Sequence, residues 1–353
     1  MVKKIKILLF GLFSMTAILN AQNSTLSGFI TDAETGEELI SANIYIVELE
    51  TGTTSNEYGF YSISVPAGKY NIRFSYTGYT TKNLVIDLRN SVELDIDLEP
   101  DSYEIEEVVV EDKINDQNVK STEMGTTNIN PQELQSVPVV FGEADVLKTM
   151  QLLPGISQAG DGASGSFVRG GNIDQNLILL DEATVYNPSH LFGFFSVFNS
   201  DAIKNAKMIK GSMPAEYGGR ISSVLDIKMK EGNNKHWRFS GGIGLISTRL
   251  SAEGPIVKDK GSFLISARRT YADVFIPLFG DESLNDSELY FYDVNLKANY
   301  ALGRKDKLFL SGYIGRDVLG YKDEFGFDWG NMTGTLRWNH LFSDKLFSNT
   351  SFV

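Results

Sequence analysis

Hydrophobic and polar residues alternate with a period of two along most of this chain, and that alternation predicts strands. In the first hundred residues, Tyr70, Ile72, Phe74 and Tyr76 fall on one face, and Asn71, Arg73 and Ser75 on the other. Val92, Leu94, Ile96 and Leu98 alternate in the same way with Glu93, Asp95 and Asp97. Turn signals separate the runs at Glu34-Thr35-Gly36, Glu50-Thr51-Gly52, Pro66-Ala67-Gly68 and Thr77-Gly78. Short strands at this spacing predict a small antiparallel β-sandwich over 22–100.

The pattern lapses over 101–136, where residues are polar and acidic, and the segment reads as a tether. Glu106, Glu107, Val108, Val109 and Val110 break its polarity. Such a segment can add as an extended strand to a partner's sheet edge, or it can be the last strand of the domain before it. Over 137–232 the period changes. Val146, Leu147, Met150 and Leu153 share a helical face, and Pro154-Gly155 stops that helix. Gly160 to Gly171 holds five glycines in twelve residues, a tightly turned or flexible loop. Leu177 to Leu180 predicts a short buried strand that ends at the carboxylate pair Asp181-Glu182, and Lys207–Lys210 and Val224–Lys228 predict two more. The span reads as a mixed α/β domain.

From 233 to 353 the strands lengthen. Trp237, Phe239, Ile243 and Leu245 mark the first, and Phe263, Ile265 and Ala267 the second. Tyr290 to Tyr300, Leu308 to Ile314 and Met332 to His340 mark three more, and a sixth starts near Lys345. Tight polar turns at Lys258-Asp259-Lys260, Gly303–Lys307 and Ser343-Asp344-Lys345 alternate with longer loops at Pro277–Glu288 and Asp317–Asp328. Short turns at one end, long loops at the other and strands long enough to cross a bilayer predict the start of a transmembrane antiparallel β-barrel. The alternative is a soluble sandwich or adhesin repeat. About six strands leave such a barrel incomplete, since open edges in lipid cost several kcal/mol per unsatisfied group. The expectation is therefore a longer protein, with further strands over roughly 300–400 residues. The whole is mainly β.

Composition narrows the function. Lys3, Lys4 and Lys6, the apolar run Ile7 to Leu19 and Ala21 read as a signal peptide over 1–21. A net charge of −13 argues against nucleic acid as a partner. The absence of Cys excludes thiolate zinc sites, Cys nucleophiles and a lipid-anchored lipoprotein. His190, His236 and His340 fall in separate segments without metal-ligand neighbours, and no nucleophile elbow or phosphate loop is present. The chain therefore reads as a non-enzyme with no cofactor. Arg169, Arg220 and Arg238 read either as bidentate partners of carboxylates on a barrel wall or as ordinary surface charge.

Two motif sets carry a resemblance. Ser27 to Asp32, Ile40 to Ile44, Gly59-Phe60-Tyr61 and Pro66 to Tyr70 resemble the carboxypeptidase-regulatory-like domain, an accessory fold without peptidase chemistry. Asp145-Val146-Leu147, Leu152 to Gly155, Val168 to Gly171, Leu179-Leu180-Asp181, Ile209-Lys210-Gly211 and Glu216 to Gly219 resemble, in order, the plug of TonB-dependent receptors. Together the parts resemble a TonB-dependent outer-membrane receptor of the Bacteroidetes type. The resemblance implies import of an external ligand, with the N-terminal domain in the periplasm and the barrel in outer-membrane lipid. It gives the TonB contact to Glu106, Glu107, Val108, Val109 and Val110. It gives the plug motif to Arg169, Gly170, Asp181, Gly211, Tyr217, Gly218, Gly219 and Arg220. A surface lipoprotein is a further possible partner. Glu182 stands where starch-utilisation-type importers have Gly, which leaves that partner, and a glycan ligand, open. Siderophore, cobalamin, peptide and oligosaccharide all fit. The rival reading is a surface adhesion or structural β-protein without transport.

Overall fold

The computed structural model describes residues 23–101, 125–129, 145–160, 165–275, 287–321 and 324–353. The signal segment and Glu106–Val110 lie outside the described residues. The chain folds as two compact units.

The first unit holds β1 (Asn23–Asp32), β2 (Asn43–Ile46), β3 (Thr51–Thr54), β4 (Phe60–Pro66), β5 (Lys69–Ser75), β6 (Lys82–Asp87), β7 (Val92–Glu93) and β8 (Ile96–Leu98). They form two four-stranded sheets, β4-β1-β7 with β8 also on β1, and β3-β2-β5-β6. The period-two alternation of β5 buries Tyr70, Ile72 and Phe74, as predicted. They join Leu26, Ile30, Ile44, Tyr61 and Ile96 in one apolar core. Burial of each large side chain contributes about 1.5–3 kcal/mol. The prediction of a wholly antiparallel sandwich fails at one place: β7 and β8 run parallel to β1. Gly28 permits this close approach. Its backbone lies against the Leu94 carbonyl, where any Cβ would overlap that oxygen. The chain between β7 and β8 can therefore pass along β1, held by the Phe29 N–H, which donates to Asp95 Oδ1 at 2.9 Å.

In the second unit, β9 (Thr126–Ile129), helix α1 (Val146–Gln151), β10 (Ile156–Gln158), β11 (Ser166–Val168), β12 (Asn176–Leu180), β13 (Ala183–Thr184), β14 (Ser189–His190), β15 (Phe195–Ser196), β16 (Ile203–Ile209) and β17 (Ser223–Met229) come first. The main sheet has the order β13-β12-β17-β16-β9, with β12 and β17 parallel. Its edge strand β9 falls inside the span that reads as tether. Asp145 caps α1 by accepting from Leu147 N and Lys148 N, and its second oxygen accepts from Ser196 N. Val146, Leu147 and Met150 face the core, as their spacing predicts. Strand β17 is buried at every position, as a central strand covered on both faces must be.

A seven-stranded sheet follows: β18 (Arg238–Ile243), β19 (Ser247–Val257), β20 (Gly261–Thr270), β21 (Ser287–Ala301), β22 (Asp306–Tyr321), β23 (Phe325–Ser343) and β24 (Leu346–Phe352). Each strand pairs with the next, and among the described residues the sheet is open. It has one strand more than predicted. Strand β19 escapes the apolar pattern because Ala252 and Gly254 interrupt its outer face. The Trp237 ring covers Gly254 instead, at 2.8 Å from where a Cβ would stand. The long loop expected at Asp317–Asp328 is also absent. Strands β22 and β23 pair as far as Tyr321 and Phe325. Gly320, Gly326 and Asp328 had disguised that hairpin.

The alternation of this sheet is inverted relative to a soluble protein. On β21, Asp293, Asn295, Lys297 and Asn299 are buried, whereas Val294 and Leu296 are exposed. On β23, Thr335, Arg337 and Asn339 are buried, whereas Met332 is 78% exposed and Leu336 and Trp338 also face out. A wall that is polar within and apolar without is the pattern of a transmembrane barrel. No helix among the described residues is long and apolar enough to cross a membrane.

Candidate functional site

The buried polar face of the wall meets the α/β domain along a seam of ion pairs. Asp181 and Glu182 form the turn between β12 and β13, with φ of 46° and 75°. Left-handed backbone at two non-glycine residues is strained, and tertiary bonds hold it there. The Asp181 N–H donates to Ile227 O. Its carboxylate accepts from Met229 N at 3.1 Å and stands 2.9 Å from the Lys297 ammonium. Lys297 also donates to Met229 O at 2.8 Å, and the Thr335 hydroxyl donates to Asp181 O. Burial works to raise the Asp181 pKa, but the charges of Lys297, Arg337 and Lys228 outweigh it and hold the carboxyl below its ordinary range. Glu182 lies 3.7 Å from Arg337 and 3.8 Å from Lys228, and accepts from Asn349.

A second anchor lies at the β14–β15 hairpin. His190 Nδ1 is 2.6 Å from Asp317 Oδ2, and its Nε2 is 2.7 Å from Asp293 Oδ1. The Leu191 N–H donates to Asp317 Oδ1. Arg268 donates through Nε to Asp293 and through Nη2 to Ser196 O. The Tyr313 hydroxyl also donates to Asp293. Burial works to lower the His190 pKa, but Asp293 and the bond to Asp317 outweigh it and raise it above the ordinary value. A third anchor is Glu231, which meets Lys307 at 3.0 Å and Lys204 at 3.5 Å.

The motif residues do not form one site. Arg169, at φ 47°, lays its guanidinium over Gly211, where a Cβ would stand 2.7 Å from Nη1. Gly211 and Gly170 have φ of 92° and 82°, which favour glycine. The Tyr217 hydroxyl donates to Asp226 at 3.2 Å, and its ring packs on Leu179, Ile209 and Val224. Gly218 has open space around it, and Gly219 takes a φ of 81°. Arg220 donates to Gly219 O and lines a cavity of about 560 Å³ together with Ile178, Tyr186 and Met208. Arg238 faces Glu253 at 3.8 Å, a pair within the wall itself. Among the described residues, the arginines that reach across the seam are Arg249, 3.0 Å from Asp201, and Arg268 and Arg337, all of which the sequence reading passed over. Asp181 is the motif residue that touches the wall. The inward parity of Asp293, Lys297 and Arg337 was a readable signal for these residues, but their partners were not. Among the described residues, no group of three or more acidic, His or Cys side chains could hold a metal.

Residues 26–110 match the CarboxypepD_reg-like domain, and residues 118–224 match the TonB-dependent Receptor Plug Domain. The first match takes in Glu106–Val110. The chain is 31% identical over 144 residues to the TonB-dependent receptor P3 of Formosa agariphila, covering 40% of this chain and 14% of that protein. It is 29% identical over 250 residues to the TonB-dependent receptor SusC of Bacteroides thetaiotaomicron, covering 66% of this chain and 24% of that one. The chain thus spans less than a quarter of the length of either relative. Among solved structures, it is similar to the siderophore receptor PirA of Acinetobacter baumannii, with a TM-score of 0.46 and 16% identity over 62% of this chain and 38% of that one. Plug sheet, inverted wall and matched domains agree: the chain carries a carboxypeptidase-regulatory-like domain ahead of a TonB-dependent receptor plug domain, and it is similar to TonB-dependent receptors of the outer membrane.

Proposed function

We propose that this chain serves the active import of an external ligand across the outer membrane, with its plug gated from the periplasm by TonB. The observation that carries the reading is the seam. Its wall presents buried charges to the plug and apolar side chains outward, so the plug is fastened by groups that water can replace. Ligand bound on the outer side loosens the plug, and the tether becomes available in the periplasm. TonB adds Glu106–Val110 to its sheet through main-chain hydrogen bonds and pulls. The domain plan behind this is 22–100, 101–136, 137–232 and 233–353. The chemistry is transport, without a catalytic group or cofactor.

The test is Val109→Pro in the full receptor. Proline removes a backbone donor from the segment and leaves the sequences of plug and wall unchanged. In a strain whose growth depends on the receptor, uptake is expected to stop while surface binding of the same nutrient persists. Capture of the receptor by the TonB C-terminal domain is expected to fail as well. Normal uptake and capture in the variant would return Val108–Val110 to the preceding domain as its last strand.

A further inference from the structure

The His190 anchor does something that import by itself does not require. Both ring nitrogens face carboxylate oxygens, one on β21 and one on β22, at 2.7 and 2.6 Å. A neutral imidazole has one N–H and one bare nitrogen, so it would set a lone pair against a carboxylate. The imidazolium, with two N–H groups, satisfies both. The ring is also fixed in plane, stacked on Phe291 at 4.0 Å with an interplanar angle of 4°.

The charge count points the same way. The charged and titratable groups that face the ring are Asp293 of β21, Asp317 and Tyr313 of β22, and Arg268 of β20. With His190 protonated, two cations meet two carboxylates. Without that proton, the cluster carries one uncompensated negative charge. His190 is 1% exposed and Asp293 0% exposed, so water cannot screen the excess.

We propose that His190 is a proton-operated latch, which fastens plug segment 189–196 to β21 and β22 when the ring is charged and releases it when the proton leaves. The inference rests on the plug and wall, and it stands whether or not Glu106–Val110 binds TonB. The sign follows from geometry. The folded state favours the charged ring, so the latch is complete below about pH 6.5 and is lost as pH rises through the higher folded value. Whatever draws Asp317 away from the ring acts in the same direction, because it removes one of the two carboxylates that keep the proton in place.

The experiment uses the full receptor in detergent micelles, with two readouts. Nitrogen-15 NMR of labelled histidine reports the ring's protonation, and hydrogen exchange reports protection of peptide 189–196. Exchange is compared between about pH 6 and pH 9 and corrected for the intrinsic rate. An imidazolium at neutral pH is expected, with protection that falls by about tenfold to a hundredfold as pH rises. His190→Gln is expected to give low protection that no longer responds to pH. Asp317→Asn is expected to move the loss of protection to lower pH, and it serves where His190→Gln does not fold. A neutral ring at about pH 6 beside a protected hairpin would overturn the latch. So would wild-type protection that is flat across the range.

Discussion

The N-terminal sandwich and the plug–wall seam are both buried, yet they are made of opposite materials. The sandwich closes over Leu26, Ile30, Ile44, Tyr61 and Phe74, side chains that water cannot replace. The seam closes over Asp181 with Lys297, His190 with Asp293 and Asp317, and Glu231 with Lys307. An apolar contact is indifferent to pH and direction. A buried ion pair is strong only while both members are present, because desolvation consumes most of its Coulomb energy. The first kind of contact suits a domain that stays folded. The second suits the release of the plug proposed above.

Removing one member of a seam pair is the sharpest way to test this contrast. Asp181→Ala leaves the Lys297 charge buried without its main partner, and is expected to destabilise the receptor by about 3–5 kcal/mol. Thermal unfolding in detergent reads the loss. Because the Asp181 pKa is lowered in the fold, its contribution is present above about pH 3.9 and disappears as pH falls through the folded value. Acid therefore weakens the Asp181 anchor, whereas alkali weakens the His190 anchor.

The double change Asp181→Asn with Lys297→Met sharpens the comparison further. It removes both charges, while Asn tolerates the left-handed φ and its amide oxygen can still accept from Met229 N, so its loss of stability is expected to be smaller than that of Asp181→Ala alone. Uptake in cells is expected to fall, since an uncharged seam resists release. Normal uptake by a stable double variant would show that the charges are not needed for opening. The smallest effect is expected in the sandwich: Ile44→Val removes one methylene and should cost about 0.5–1.5 kcal/mol at any pH, read by hydrogen exchange of strands β2 and β5. A pH-dependent loss there would blur the distinction between the two regions.

Period two in β5 and β21 was legible as strand, and the helix that stops at Pro154-Gly155 was legible from its spacing. Strand β19 was not, because its cover comes from Trp237, just ahead of the neighbouring strand β18. The β22–β23 hairpin was not, because glycine and aspartate look the same in a loop as at the outer end of a barrel strand. Inward charges such as Asp293 and Lys297 stood in the sequence at the right parity. Their partners His190 and Asp181 lie 103 and 116 residues away, and no local pattern links them. Glu182 had read as a departure from a glycine position. Its φ of 75° shows why glycine suits that turn, and the nearby Arg337, Lys228 and Asn349 show what a carboxylate gains there.

The strict two-residue period of the wall also constrains how its gene can change. A single codon inserted in the middle of β21 would turn part of its Asp293–Lys297 face toward lipid and send Val294 and Leu296 toward the plug. Length variation among such receptors should therefore collect in the connections between strands, or arrive within strands as pairs of codons. Substitutions, by contrast, can accumulate anywhere that respects parity.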